Sequence, residues 1–147
     1  MPASRHPLGY AWVGLTLVLA LHVADEATHD FLSVYNPSAL AIRQRLPFLP
    51  RPTFTYPIWL AGLTLAVLGL LALSPLAFRG SRRLIRLSYP YALLMFANGL
   101  GHLGCSIYQR TLMPGVWSSP LLLAASAWLL VAAHRAAGSL PPAPARD

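Results

Sequence analysis

The sequence predicts an all-α protein, a four-helix transmembrane bundle with its N- and C-termini in the cytoplasm. Three observations predict it. Hydrophobic residues make up 56% of the 147 residues, charged residues only 10%, and the mean hydropathy is +0.54; a soluble domain carries about 25% charge. The chain holds four largely apolar runs, each near the roughly 20 residues that a bilayer core requires. The basic residues are all arginine and fall almost entirely between or outside those runs. The same hydrophobicity excludes a disordered chain. The single cysteine, Cys105, excludes an internal disulfide and a multi-thiolate zinc ribbon.

The first span is expected over residues 8–31, interrupted early only by His22. Its apolar run is long for a signal-peptide core, and the small-x-small cleavage pattern is poor around His22 to Ala24. The loop at 32–52 carries Pro37, Pro47, Pro50 and Pro52. A short amphipathic or partly re-entrant segment, Ser38–Leu46 with Ser38 as its cap, fits inside that loop. The second span, 53–75, has no charge and ends at Ser74-Pro75, because proline removes a backbone donor and clashes with the preceding turn. The third, 87–109, contains His102, and the fourth, 114–135, opens at Met113-Pro114-Gly115. Residues 1–139 then form a single membrane domain, and the proline- and alanine-rich residues 140–147 read as a disordered tail.

Orientation follows from the arginines. Arg5, Arg79, Arg82, Arg83, Arg86, Arg135 and Arg146 fall on one side; Arg43, Arg45, Arg51 and Arg110 fall on the other. The richer side is cytoplasmic by the charge-bias rule, which leaves the first loop extracytoplasmic. The chain is thus expected as a multi-pass protein of the inner (plasma) membrane. The net charge of +7 is explained by loops anchored beside anionic lipid, so nucleic acid is not an expected partner.

The acids carry the functional signal. Of four in the chain, Asp25, Glu26 and Asp30 fall within six consecutive positions, and Asp147 lies at the tail. On a helix at about 100° per residue, His22 at 0° is joined by Glu26 near 40°, His29 near −20° and Asp25 near −60°, with Asp30 near 80° at the edge. Two imidazoles and two carboxylates therefore share one face, and Glu26-x-x-His29 has the spacing of inward-facing ligands in di-iron carboxylate bundles. The third span offers Asn98, His102, Cys105 and Gln109 at i, i+4, i+7 and i+11, flanked by Gly99, Gly101 and Gly104. Small residues let helices approach closely in a bilayer. His22 lies about 21 Å from the start of its span and His102 about 22 Å from the start of its own, at 1.5 Å per residue. The two reach a common depth in the outer half of the membrane. His29 and Asp30 suit an interfacial place as well as a site, and Cys105 suits an apolar filler better than a ligand. A bundle-stabilising Glu26–His102 hydrogen bond is the plain structural alternative, while intramembrane ionisable groups mark functional sites by default. Tyr56 or Trp59 is placed to roof such a site.

His22-Val23-Ala24-Asp25-Glu26 on a first helix, with Asn98-x-x-x-His102 and the later Met113-Pro114-Gly115, resembles the HXXEE-domain family of small bacterial integral membrane proteins, whose function is not established. The resemblance covers about residues 15–130 and implies four spans with a long first loop. Asp25 stands where the motif has its first glutamate, keeping the charge with a shorter reach.

Three functions compete. An intramembrane metal site would use His22, Glu26, His29 and His102 as ligands for zinc or iron, with Asp25 orienting an imidazole. A metal-bound water would then act on a lipophilic substrate entering between helices. Metal-free acid–base chemistry on a lipid or isoprenoid would use Glu26 as general acid and His102 as base, with Asp25 beside them. A non-catalytic accessory subunit could bind a tetrapyrrole through His102, with the neighbouring glycines leaving room for the ring. Asn98, Cys105 and Asp30 are supporting candidates in each reading. A plain transport or proton-pathway role is also open, although four spans make a small transporter unless the chain oligomerises. The expected partners are the lipid bilayer and a lipophilic small molecule, with self-association open.

Overall fold

A computed structural model describes residues 6–48, 50 and 52–139. The expected tail at 140–147 lies outside the described residues. Among those described there are helices and no strands: α1 (His6–Thr28), α2 (Phe31–Arg45), α3 (Tyr56–Ala72), α4 (Ser74–Phe78), α5 (Arg82–Gln109) and α6 (Ser119–Gly138). Three stretches are long and apolar enough to cross a membrane: Pro7–Thr28, the continuous Tyr56–Phe78, and Ser119–Gly138. The third expected span, 87–109, corresponds to α5, which is longer than any of them but falls short in apolar character. Arg82, Arg83 and Arg86 crowd its first turns, and Asn98, His102, Ser106 and Gln109 punctuate its second half.

α1 is the hub. Its buried positions Leu8, Ala11, Trp12, Leu15, Leu19, Val23 and Glu26 recur at helical spacing and face α3, α4, α5 and α6. Tyr10, Leu17 and Leu21 point away and stay exposed, as the lipid-facing side of a membrane helix does. Half of the apolar window of α1 is buried inside the protein but only 6% of that of α3, so α3 packs on the edge. The contacts fix directions. Tyr10 at the start of α1 meets Phe78 at the end of α4, Trp12 and Thr16 meet Tyr91 in the first half of α5, and Asp25 meets Ser118 just before α6. α1 and α5 therefore run one way, and α3 and α6 the other.

The boundaries differ from expectation in several places, each for a local reason. α1 stops at Thr28, because Asp30 takes a left-handed conformation (φ 54°) that a short polar side chain tolerates and a helix does not. The amphipathic segment of the first loop is a full 15-residue helix, α2, with Pro37 inside it. Ser38 does not cap that helix; its hydroxyl donates to the Val34 carbonyl. α5 begins at Arg82 rather than at 87, since arginine is a good helix former and carries the helix past its apolar stretch. α6 begins at Ser119 rather than 114, because Gly115 has φ +84° and sits in a turn. Leu73 alone separates α3 from α4, and Pro75 stands in the first turn of α4, where a missing N–H costs no helical bond, so the apolar stretch runs on to Phe78 past the expected end at Ser74-Pro75.

Candidate metal centre

The buried seam of α5 runs through Leu84, Ile85, Ser88, Tyr91, Ala92, Gly99 and Ser106, and His102 lies on it, 10% exposed at its side chain. The buried stripe of α1 ends with His22, fully buried, and Glu26, 5% exposed. Because α1 and α5 run in parallel, the two stripes meet at their far ends. Glu26 Oε1 lies 3.1 Å from His102 Nε2 and 3.6 Å from His22 Nε2. The two imidazoles meet edge to face with centroids 4.9 Å apart. One nitrogen from each histidine and one oxygen from Glu26 all lie within 4.8 Å of one another.

The turn between α5 and α6 closes over this group. Arg110 ends α5 in a left-handed conformation, φ 53°. The Met113 N–H then donates to the Ser106 hydroxyl, which itself donates to the His102 carbonyl. Gly115 follows. A Cβ built on it would stand 2.9 Å from Cε1 of both His22 and His102 and 3.0 Å from His102 Nδ1. Only glycine suits both this backbone conformation and this approach. Ser118 completes the turn. Its N–H and its hydroxyl both donate to Asp25 Oδ2, at 2.9 and 2.7 Å, and the same hydroxyl oxygen lies 2.7 Å from His22 Nδ1. On the other edge of His22, Asn98 Nδ2 points at Nε2 from 3.4 Å.

The candidates thus divide. His22, Glu26 and His102 come together, with Asp25 and Asn98 bonded to or aimed at His22 and its partner serine. His29 stands apart: it is 52% exposed at its side chain and 3.0 Å from Asp25 Oδ1, but its hydrogen bond goes to the Asp25 carbonyl at 2.8 Å. Asp25 Oδ1 has no aligned hydrogen bond among the described residues. Asp30 forms the α1–α2 turn, where its carbonyl accepts from the Ser33 N–H and hydroxyl. Cys105 is exposed, one position off the buried seam. An aromatic group flanks the site: Phe31 lies 5.8 Å from the His102 ring and 5.7 Å from Trp59, with Tyr35 stacked on Phe31 at 5.5 Å. Trp59 is therefore one ring removed from the histidine, and half-exposed Tyr56 is one ring further out. Gly99 packs against Leu123 and the Ser119 carbonyl rather than opening space beside His102.

Ser118 and Gly115 are the site residues that sequence reasoning missed as contributors. The signal was present: Ser118-Ser119-Pro120 has a proline in the first turn and a serine before it, the mark of a helix start. Reading residues 114–118 as part of the fourth span hid it.

Comparisons with curated proteins and with solved structures return no match. A family model described as "Protein of unknown function with HXXEE motif" matches residues 12–129. That stretch holds the α1 face, the α5 face and the turn that closes on them, so the chain belongs to the HXXEE-motif family.

Proposed function

We propose that the protein is a four-span membrane protein that binds one zinc or iron ion through His22 Nε2, Glu26 and His102 Nε2, in the outer half of the bilayer, and uses it on a lipophilic substrate. The observation that carries the reading is the convergence of three donor atoms from two helices within 4.8 Å. Two imidazoles and one carboxylate make a ligand set that suits catalytic zinc or non-haem iron, and three protein ligands leave coordination positions open. A structural zinc site is normally closed by four ligands. The bound ion would supply Lewis acidity to a water or a substrate oxygen; Glu26 and the imidazoles would hold it, and the buried setting would limit access of bulk water. Lipid-facing α3 and the exposed apolar faces of α1 and α5 favour a substrate that arrives laterally from the bilayer. In this reading α5 is the remaining span, carrying Ser88, Asn98, His102 and Ser106 on the protein-facing side, and the arginine-rich end at Arg79–Arg86 is cytoplasmic.

Elemental analysis of the protein purified in detergent tests the proposal. The wild type is expected to carry close to one zinc or iron per chain, and Glu26→Gln to lose most of it, on the order of tenfold or more, as expected when a charged ligand is removed. A metal-free wild type that cannot be loaded with either ion overturns the reading. The 3.1 Å Glu26–His102 pair favours a second reading, acid–base chemistry on a lipid or isoprenoid without metal. Lipid extracts of cells expressing the protein then change with the protein even under chelation. A tetrapyrrole is disfavoured, because Glu26, His22, Phe31 and Gly115 already surround the His102 ring.

A further inference from the structure

We infer that Ser118 is a positioning residue: its hydroxyl, held by Asp25, fixes His22 as the Nδ1–H tautomer and so turns the Nε2 lone pair toward Glu26 and His102. The inference deepens the metal reading and rests on it for its purpose, but its geometry stands without an ion.

A serine hydroxyl has one proton to give. Three acceptors compete for the Ser118 proton: Asp25 Oδ2 at 2.7 Å, the Gly115 carbonyl at 3.2 Å and His22 Nδ1 at 2.7 Å. The carboxylate is the strongest acceptor, since hydrogen bonds to an ionised oxygen are shorter and about twice as strong as neutral ones. The Ser118 N–H donates to the same Oδ2 at 2.9 Å, which holds that oxygen in line with the hydroxyl. With its proton committed to Asp25, Ser118 Oγ can only accept from His22, so Nδ1 carries the hydrogen. An independent contact agrees. Asn98 Nδ2 has only hydrogens to offer, and it points at Nε2 from 3.4 Å, which calls for a lone pair there. His22 is fully buried, so bulk water does not compete for either nitrogen.

A ligating histidine commonly donates its other N–H to a carboxylate or carbonyl, which sets the tautomer and ring orientation. Here the Ser118 hydroxyl stands between the Asp25 carboxylate and the imidazole and bridges them. The departure at position 25 fits this arrangement, since the aspartate carboxylate meets the turn before α6 instead of reaching the imidazole.

Ser118→Ala isolates the hydroxyl, because the backbone N–H still ties the turn to Asp25. Histidine side-chain NMR of the chelator-treated, isotope-labelled full chain in nanodiscs at pH 8 reads the tautomer, with the His22 signal assigned by its loss in His22→Gln. His22 is expected as Nδ1–H in the wild type and in Ser118→Thr, and with a rising Nε2–H fraction in Ser118→Ala. Zinc titration of the same samples is expected to show Ser118→Ala weakened about 10- to 100-fold, the usual effect of removing such an outer partner, and Ser118→Thr restored to within a few-fold. A wild-type His22 found as Nε2–H or as imidazolium overturns the inference, as does a tautomer ratio unmoved by Ser118→Ala. If the tautomer moves as expected while zinc binds neither protein, the relay stands and the metal reading falls.

Discussion

The two ends of the α1–α5 interface use polar atoms in opposite ways. At the arginine-rich end, the polar groups are satisfied by one another and by backbone carbonyls. The Trp12 indole N–H donates to the Leu70 carbonyl at 2.8 Å, and the Thr16 hydroxyl donates to the Trp12 carbonyl at 2.8 Å while it meets the Tyr91 hydroxyl at 3.2 Å. Around them the packing is apolar: Leu8, Leu15, Ile85, Leu129 and Ala133 are all buried. At the other end the contacts share atoms. Ser118 Oγ serves Asp25, His22 and Gly115; Glu26 Oε1 stands against both His22 and His102. Satisfied bonds of this kind hold helices together. Two imidazoles and a carboxylate converging on one point are what ligand binding needs, and among the described residues they do so at one end only.

The comparison can be broken from either side. The largest expected effect on stability is at the packing end: Trp12→Ala should cost about 3–5 kcal/mol, as truncation of a buried tryptophan does, seen as a lower unfolding temperature in micelles. Ion content at equal folded concentration should stay at the wild-type level. Next is Gly115→Ala, which forces a side chain into a left-handed backbone and onto two imidazoles. It should cost about 1–3 kcal/mol and also depress ion occupancy, so thermal unfolding and elemental analysis move together. The smallest is Thr16→Val, which removes one interhelical bond, to the Tyr91 hydroxyl, and a bond to the Trp12 carbonyl within α1. Interhelical hydrogen bonds in membranes average about 0.6 kcal/mol, so its melting curve should shift little and its ion content not at all. If Trp12→Ala lost the ion as completely as Glu26→Gln, the two ends would not be separable in this way.

How much of this was legible in the sequence depended on how rare each residue type was. Acids are scarce in this chain, so Asp25 and Glu26 stood out, and helical angle alone set Glu26 beside His22 and both on the face that meets His102. The α5 face was read nearly right: Asn98 and His102 are on it, but the next buried position is Ser106, an i+4 step, and not Cys105. His29 shared the angle of His22 yet left the group, because the helix that would have carried its side chain inward ends one residue earlier. Serines are common in apolar helices, and Ser118 gave no compositional contrast; its role comes from a fold-dependent contact with a residue 93 positions away. Pro37 looked like a helix breaker, but it costs α2 only one backbone donor, and the Asn36 amide clamps that helix to Phe54 through two hydrogen bonds.

The turn at Gly115–Ser118 has a consequence for how the protein is made. Ser118 is made 93 positions after the Asp25 that it bonds, so during synthesis the polar groups of α1 exist for some time without the turn that satisfies them. If α1 crosses the bilayer as proposed, its aspartate opposes insertion, by up to about 2.5–3.5 kcal/mol for one at the centre of a helix on translocon scales. Settling of α1 then depends on a segment translated much later.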